Sequence, residues 1–146
     1  MKIKSICLFV IFLFNLFAVN LTAQSNSEKI LCKSFALNGR TQIITDLKNA
    51  LEVRNWTESI ARIEIFIKLE NGSESILKSL ILSGRYDVVG KIDEMKLTMT
   101  ASNSLDKTIK INNTELKEEI HYILYVPFGV IVSSSAADLS ASNVGK

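Results

Sequence analysis

Between residues 62 and 70 polar and apolar side chains alternate almost without a break. Ile63, Ile65, Ile67 and Leu69 fall on one side. Arg62, Glu64, Lys68 and Glu70 fall on the other, with Phe66 alone out of pattern. A period of two sends successive side chains to opposite faces, so this is a strand covered on one side. Its isoleucines suit a pleated surface because they are β-branched. At roughly 3.3 Å per residue it is about 30 Å long, which commits the chain to a sheet. Upstream, Leu51 and Val53 alternate with Glu52 and Arg54, and the polar stretch 55–59 surrounds Trp56. The pattern predicts an antiparallel pair with a loop near 56–59.

The rest of the chain repeats this theme. A strand is expected over 30–37, a turn at Asn38-Gly39, a second strand over 41–47 and the third over 50–54. Each is expected to pair with the next. Asn71-Gly72 ends the long strand. Over 73–84 the period changes: Ile76, Leu77, Leu80 and Ile81 recur at helical spacing, Ser73 can cap, Glu74 suits the positive end, and Gly84 can stop the helix. A short helix is therefore predicted, packed on a sheet face or over an edge. Short strands follow at 86–89 and 108–111, the latter ending at Asn112-Asn113. Met95, Leu97, Met99 and Ala101 alternate with polar residues in a clean amphipathic strand. In 119–126, Ile120, Tyr122, Leu124 and Val126 share one face while His121, Ile123 and Tyr125 share the other, so both faces are open to coverage. Pro127 ends it, and brief pairing is expected at 130–132.

The N-terminus has the layout of a secretory signal peptide: Lys2 and Lys4, an apolar run from 6 to 19, then Leu21-Thr22-Ala23 before Gln24. Residues 1–23 are expected to be removed between Ala23 and Gln24, leaving no stable membrane span and an exported, periplasmic or surface protein. The single β-rich domain would cover 24–132 and a small-residue tail 133–146. Removing Lys2 and Lys4 takes the 17 basic residues to 15, level with the 15 acidic ones. A neutral domain lacks the field that draws a protein to nucleic acid. Cysteine usage is sparse as well. Only Cys32 would remain, so no internal disulfide is possible, and its place between Leu31 and Phe35 suggests a buried, inert thiol.

No residue pattern marks a catalytic, metal or cofactor site. His121, the sole histidine, has no cysteine or carboxylate at metal-ligand spacing. There is no nucleophile elbow and no phosphate-binding glycine loop. Glu115, Glu118 and Glu119 most simply form a solvated turn. Trp56 is either a contact residue at a loop tip or a lid on the apolar layer. Trp56 and Phe128 are the candidate contact residues.

Two stretches carry a resemblance. One runs from Lys33-Ser34-Phe35 to Leu51-Glu52-Val53-Arg54-Asn55-Trp56 and into the alternating strand. The other comprises residues 125–132 with residues 138–145, which end in Asn143-Val144-Gly145. They resemble the bacterial adhesin-like family with β-strand repeats, relatives of auto-transporter adhesin head domains. That resemblance implies a non-enzymatic surface protein, no cofactor, and a short β-solenoid as an alternative to a sandwich, although the chain shows no internal repeat. The expectation is thus a mainly β fold, an antiparallel sandwich or a short solenoid-like sheet with one helix. Its function would be an adhesin-like envelope interaction with a protein or glycan. A periplasmic binding or inhibitor module, using an apolar groove under the helix, is the alternative.

Overall fold

The computed structural model describes residues 26–135. The signal peptide expected over 1–23 and most of the expected tail lie outside the described residues. Ten strands and one helix follow in order: β1 (Ser27–Ala36), β2 (Gln42–Asp46), β3 (Ala50–Trp56), β4 (Ile60–Leu69), α1 (Glu74–Leu82), β5 (Val88–Ile92), β6 (Lys96–Ala101), β7 (Lys110–Ile111), β8 (Thr114–Glu115), β9 (Glu118–Pro127) and β10 (Ile131–Ser134). Among the described residues the fold is mainly β with a single α-helix, as its periodicities imply.

Two four-stranded sheets, ordered β1-β4-β9-β3 and β10-β2-β6-β5, face each other across one core. From the first come Ile63, Ile65, Ile67 and Leu69 of β4 with Tyr122, Leu124 and Val126 of β9. The second supplies Ile43, Val88, Leu97 and Met99. Burying each such aliphatic side chain is worth about 1.5–3 kcal/mol before entropy is counted. Every second residue of β4 is buried, so its register is the one the alternation predicts. Of the two architectures expected, this is the sandwich.

The pairing differs from expectation. Both large sheets are mixed: β3 runs parallel to β9, and β2 runs parallel to β10 and β6. β3 and β4 share a sheet but do not touch as a ladder, because β9 lies between them. The cause is visible in the burial. Tyr122, Ile123, Leu124 and Val126 make β9 buried on both faces, and such a strand gains most from a central place with both edges paired. β3, exposed at five of its seven positions, goes to the edge. Likewise Asn38 and Gly39 take positive φ, 50° and 80°, and make the expected turn, yet the chain leaves it for the other sheet. The turn chemistry was legible, but the partner was not. β5 also begins later than expected, at Val88, and runs on to Ile92, while β10 continues to Ser134.

The helix forms where predicted. The Ser73 hydroxyl accepts the Ile76 amide at 3.4 Å, and Gly84 follows at φ 74°. Its stripe is spent on the core: Leu77 is buried, with Ile76, Leu80 and Ile81 packed around it. Where β5 meets β1, Phe35 lies against Gly90, and a Cβ there would come within 2.5 Å of the ring.

Candidate interaction surface

Register assigns the outward residues of the β1-β4-β9-β3 sheet to rows. Ile30, Phe66, His121 and Ala50 form one row. Cys32, Glu64, Ile123 and Glu52 form the next, and Ser34, Arg62, Tyr125 and Arg54 the third. Trp56 stands beside Pro127 at the end. Phe66 breaks the alternation of β4 because it belongs to this face. Its ring stacks on His121, centroids 4.4 Å apart at 8°. Further along, Trp56 and Tyr125 approach to 5.5 Å at 37°. The two ring pairs are held four residues apart on β9, about 13 Å. Between them Ile123 is only 7% exposed although it points away from the core.

Charge is arranged around these rings. The Arg54 guanidinium forks onto Glu52 at 2.7 and 3.0 Å, and it lies 6.0 Å from the Tyr125 centroid. The Tyr125 hydroxyl donates to Glu64 at 3.5 Å. The hydrogen bond from Arg54 holds the Glu52 carboxyl below its ordinary range, and the same bond raises Arg54. Lys68 meets Glu119 at 3.3 Å beside Phe66. Ile30, Phe66, Lys68, Glu119 and His121 line much of an open depression of about 370 Å³, to which no helix residue contributes. The groove expected under α1 is instead filled by core packing.

The candidate residues fall as follows. Trp56 is half-buried at the end of β3, its Nε1 donating to the Ile60 carbonyl at 2.9 Å. Phe128 is 71% exposed, at the tip of a turn closed by the Val130 amide donating to the Pro127 carbonyl. Their strands meet at the Trp56–Pro127 pair, so both lie at one end of the sheet. Cys32 corrects its expectation: it is exposed, because β1 is an edge strand whose register turns Leu31 and Phe35 inward. Among the described residues no group of three His, Cys, Asp or Glu is gathered to hold a metal ion. No described helix is long and apolar enough to cross a membrane.

A second polar cluster was not anticipated. Glu118, expected in a solvated turn, is the buried partner of Arg85. Arg85 Nε and Nη2 donate to its carboxylate at 2.9 and 2.5 Å. The remaining guanidinium donors reach the Ser104 and Lys107 carbonyls, the latter at 2.9 Å. The Tyr86 hydroxyl donates to Glu118 at 2.6 Å. Burial first, and then the bond to Glu118, push the Tyr86 phenol up; Glu118 raises Arg85. All three guanidinium nitrogens are engaged, in four hydrogen bonds, so the cluster ties the segment after α1 to the start of β9. Glu118 pairs with Leu69 on the inner side of the sheet, whereas His121 faces out. A carboxylate–histidine couple is therefore not formed between them. Three residues apart on a strand means opposite faces.

No protein-family model matches the chain, and no curated protein matches it. Among solved structures, a "putative cell adhesion protein" from Clostridium sporogenes ATCC 15579 is similar, at 11% identity and a TM-score of 0.42. The likeness covers 74% of this chain and 46% of that one, so the chain spans less than half of that protein's length.

Proposed function

We propose that the protein is an exported, non-enzymatic, adhesin-like interaction module that meets a protein or glycan of the cell envelope through the outer face of the β1-β4-β9-β3 sheet. The observation that carries this reading is the apolar filling of a face that has no second layer over it among the described residues. Ile123 is buried there, Phe66 and His121 stack, and Ile30 is 53% exposed at its margin. The outward positions of β10, β2, β6 and β5 are mainly polar or charged, Gln42, Asp46, Lys91, Lys96, Thr98, Thr100 and Ser133, with Ile44, Val89 and Ile131 scattered among them and no stacked rings. Apolar patches rimmed by charge are the usual mark of recognition surfaces. Export rests on the basic–apolar–small layout of residues 1–23. The lack of chemistry rests on the separation of His121 from the buried carboxylate. A second reading, a small-ligand binding module, draws on the open depression beside Phe66.

The test compares two faces. Cells producing the full chain are applied to immobilised envelope extract, with Ile30→Glu plus Phe66→Glu on one face and Thr98→Glu on the other. Retention is expected to fall for the first variant alone. Equal retention of all three, or equal loss in both variants, would remove the face from consideration. An apolar fluorescent probe displaced by Phe66→Glu, with retention unchanged, would favour the ligand module.

A further inference from the structure

We propose that β3 is a self-association edge, pairing antiparallel with β3 of a second copy about a two-fold axis at Val53. The four sheet edges are not alike. β1 is guarded by Lys29 and Lys33, which its register turns toward the core side, a device that discourages edge pairing. β5 and β10 have five and four residues. β3 offers seven, without proline or inward charge. Ala50 and the run 52–55 are exposed, and Val53 is 45% exposed on the core side.

The residue order of β3 suits its own reversal. Pairing about Val53 sets Glu52 opposite the partner's Arg54 and Arg54 opposite the partner's Glu52. Val53 meets its own copy, and the bulk of Trp56 falls opposite Ala50. Faces are preserved only when the register shifts by two. The neighbouring registers fail at once: centring on residue 52 confronts two glutamates, and centring on residue 54 confronts two arginines. Opposite charges directly across an antiparallel pair stabilise it and like charges oppose it, so the strand specifies one register. The Arg54–Glu52 fork, already formed within the strand, holds both groups near the geometry they need. The product is an isologous interface: one continuous sheet of eight strands, with two outer faces side by side. Seven paired residues make a small interface, so the dimer is concentration-dependent rather than permanent.

The full chain carrying Cys7→Ser and Cys32→Ser is produced in cells, with Val53→Cys or Asn55→Cys added, and oxidised. Directly opposed strand residues lie about 4.5–5.5 Å apart, within disulfide reach. Cys at 55 would lie four residues from its copy, about 13 Å. A cross-linked dimer is expected from Val53→Cys and not from Asn55→Cys. Adding Arg54→Glu should lower the cross-linked fraction about tenfold, since two attractions become two repulsions. Adding Glu52→Arg as well should restore it, because the charges are reciprocal again. Equal cross-linking at both positions, none at 53, or no response to the charge swaps overturns the proposal. Should Val53→Cys fail to accumulate, light scattering of the detergent-extracted parent chain decides instead. Expected is a mass that doubles with concentration, reverts in Arg54→Glu and returns in the double swap. A monomer throughout overturns it.

Discussion

The arginine–glutamate fork occurs twice in this domain, in opposite surroundings. Arg85 and Glu118 have side chains 6% and 12% exposed; Arg54 and Glu52 are 47% and 56% exposed. Both forks are bidentate. The buried pair is joined by the Tyr86 hydroxyl and two backbone carbonyls, which replace the water each ion gave up. The exposed pair retains its water and has only the Tyr125 hydroxyl near Arg54, at 3.5 Å. Geometry is therefore not what separates their roles. Burial makes the first pair a structural tie that cannot be half removed, while exposure leaves the second free to exchange partners.

The largest expected effect comes from breaking the buried fork. Arg85→Ala leaves the Glu118 carboxyl largely buried with only the Tyr86 hydroxyl bonded to it, and takes one donor each from the Ser104 and Lys107 carbonyls. Removing one member of a buried pair typically costs about 3–5 kcal/mol. Urea unfolding of the variant should show a loss of that size. A loss below about 1 kcal/mol, within the range of exposed pairs, would mean that the surrounding bonds are not made in solution and would erase the contrast between the forks.

The two buried tyrosines sharpen the point without removing a charge. Tyr86→Phe deletes a bond to a carboxylate and should cost about 1.5–3 kcal/mol. The Tyr122 hydroxyl is buried with no partner among the described residues, so Tyr122→Phe should lie within about 0.5 kcal/mol of the parent or stabilise slightly. Burial raises both phenols. A raised folded value means that the stability it reflects is complete below the unfolded value near pH 10. It is lost as pH climbs toward the folded value. Chemical denaturation should therefore be steady through neutral pH and weaken above about pH 10, less so in each Phe variant. A fold indifferent to alkali would place both hydroxyls in water.

How much of this was written in the chain depends on range. The alternation of β4, the Ser73 cap, the stop at Gly84 and the Asn112-Asn113 turn, at φ 49° and 64°, are local, and each appears where its residues demand. Pairing is not local. β3 and β4 are separated by three residues, yet β9, which begins only at Glu118, runs between them. A single period cannot encode that choice; only the double burial of β9 hinted at it. The outer face has the same difficulty, since its rows draw on four strands distant in sequence. Phe66 was its one legible sign, out of pattern in β4 until His121 is seen against it. The error over Glu118 has the same origin. Three glutamates between short strands resemble a solvated turn, and nothing nearby announces that Arg85 will arrive from the other side of the helix.

The smallest expected effect tests the other half of the comparison. Arg54→Ala removes the exposed fork and the approach to the Tyr125 ring. Glu52 is left exposed to water, where a lone carboxylate is well solvated, so the denaturation midpoint of dilute protein should fall only slightly. Added salt should shrink even that small difference between the parent and the variant, because screening weakens a surface pair. Glu52 is held below its ordinary range mainly by this arginine. The stability associated with that shift is present above the unfolded value and fades as pH falls through the folded one. In Arg54→Ala the Glu52 carboxyl should therefore titrate at higher pH, which nuclear magnetic resonance can follow on its side-chain signal. An unmoved titration would mean that the fork is not populated in solution. A shifted titration with only a slight fall in midpoint is the expected result, and it would show that this fork can be formed or released at little cost to the fold.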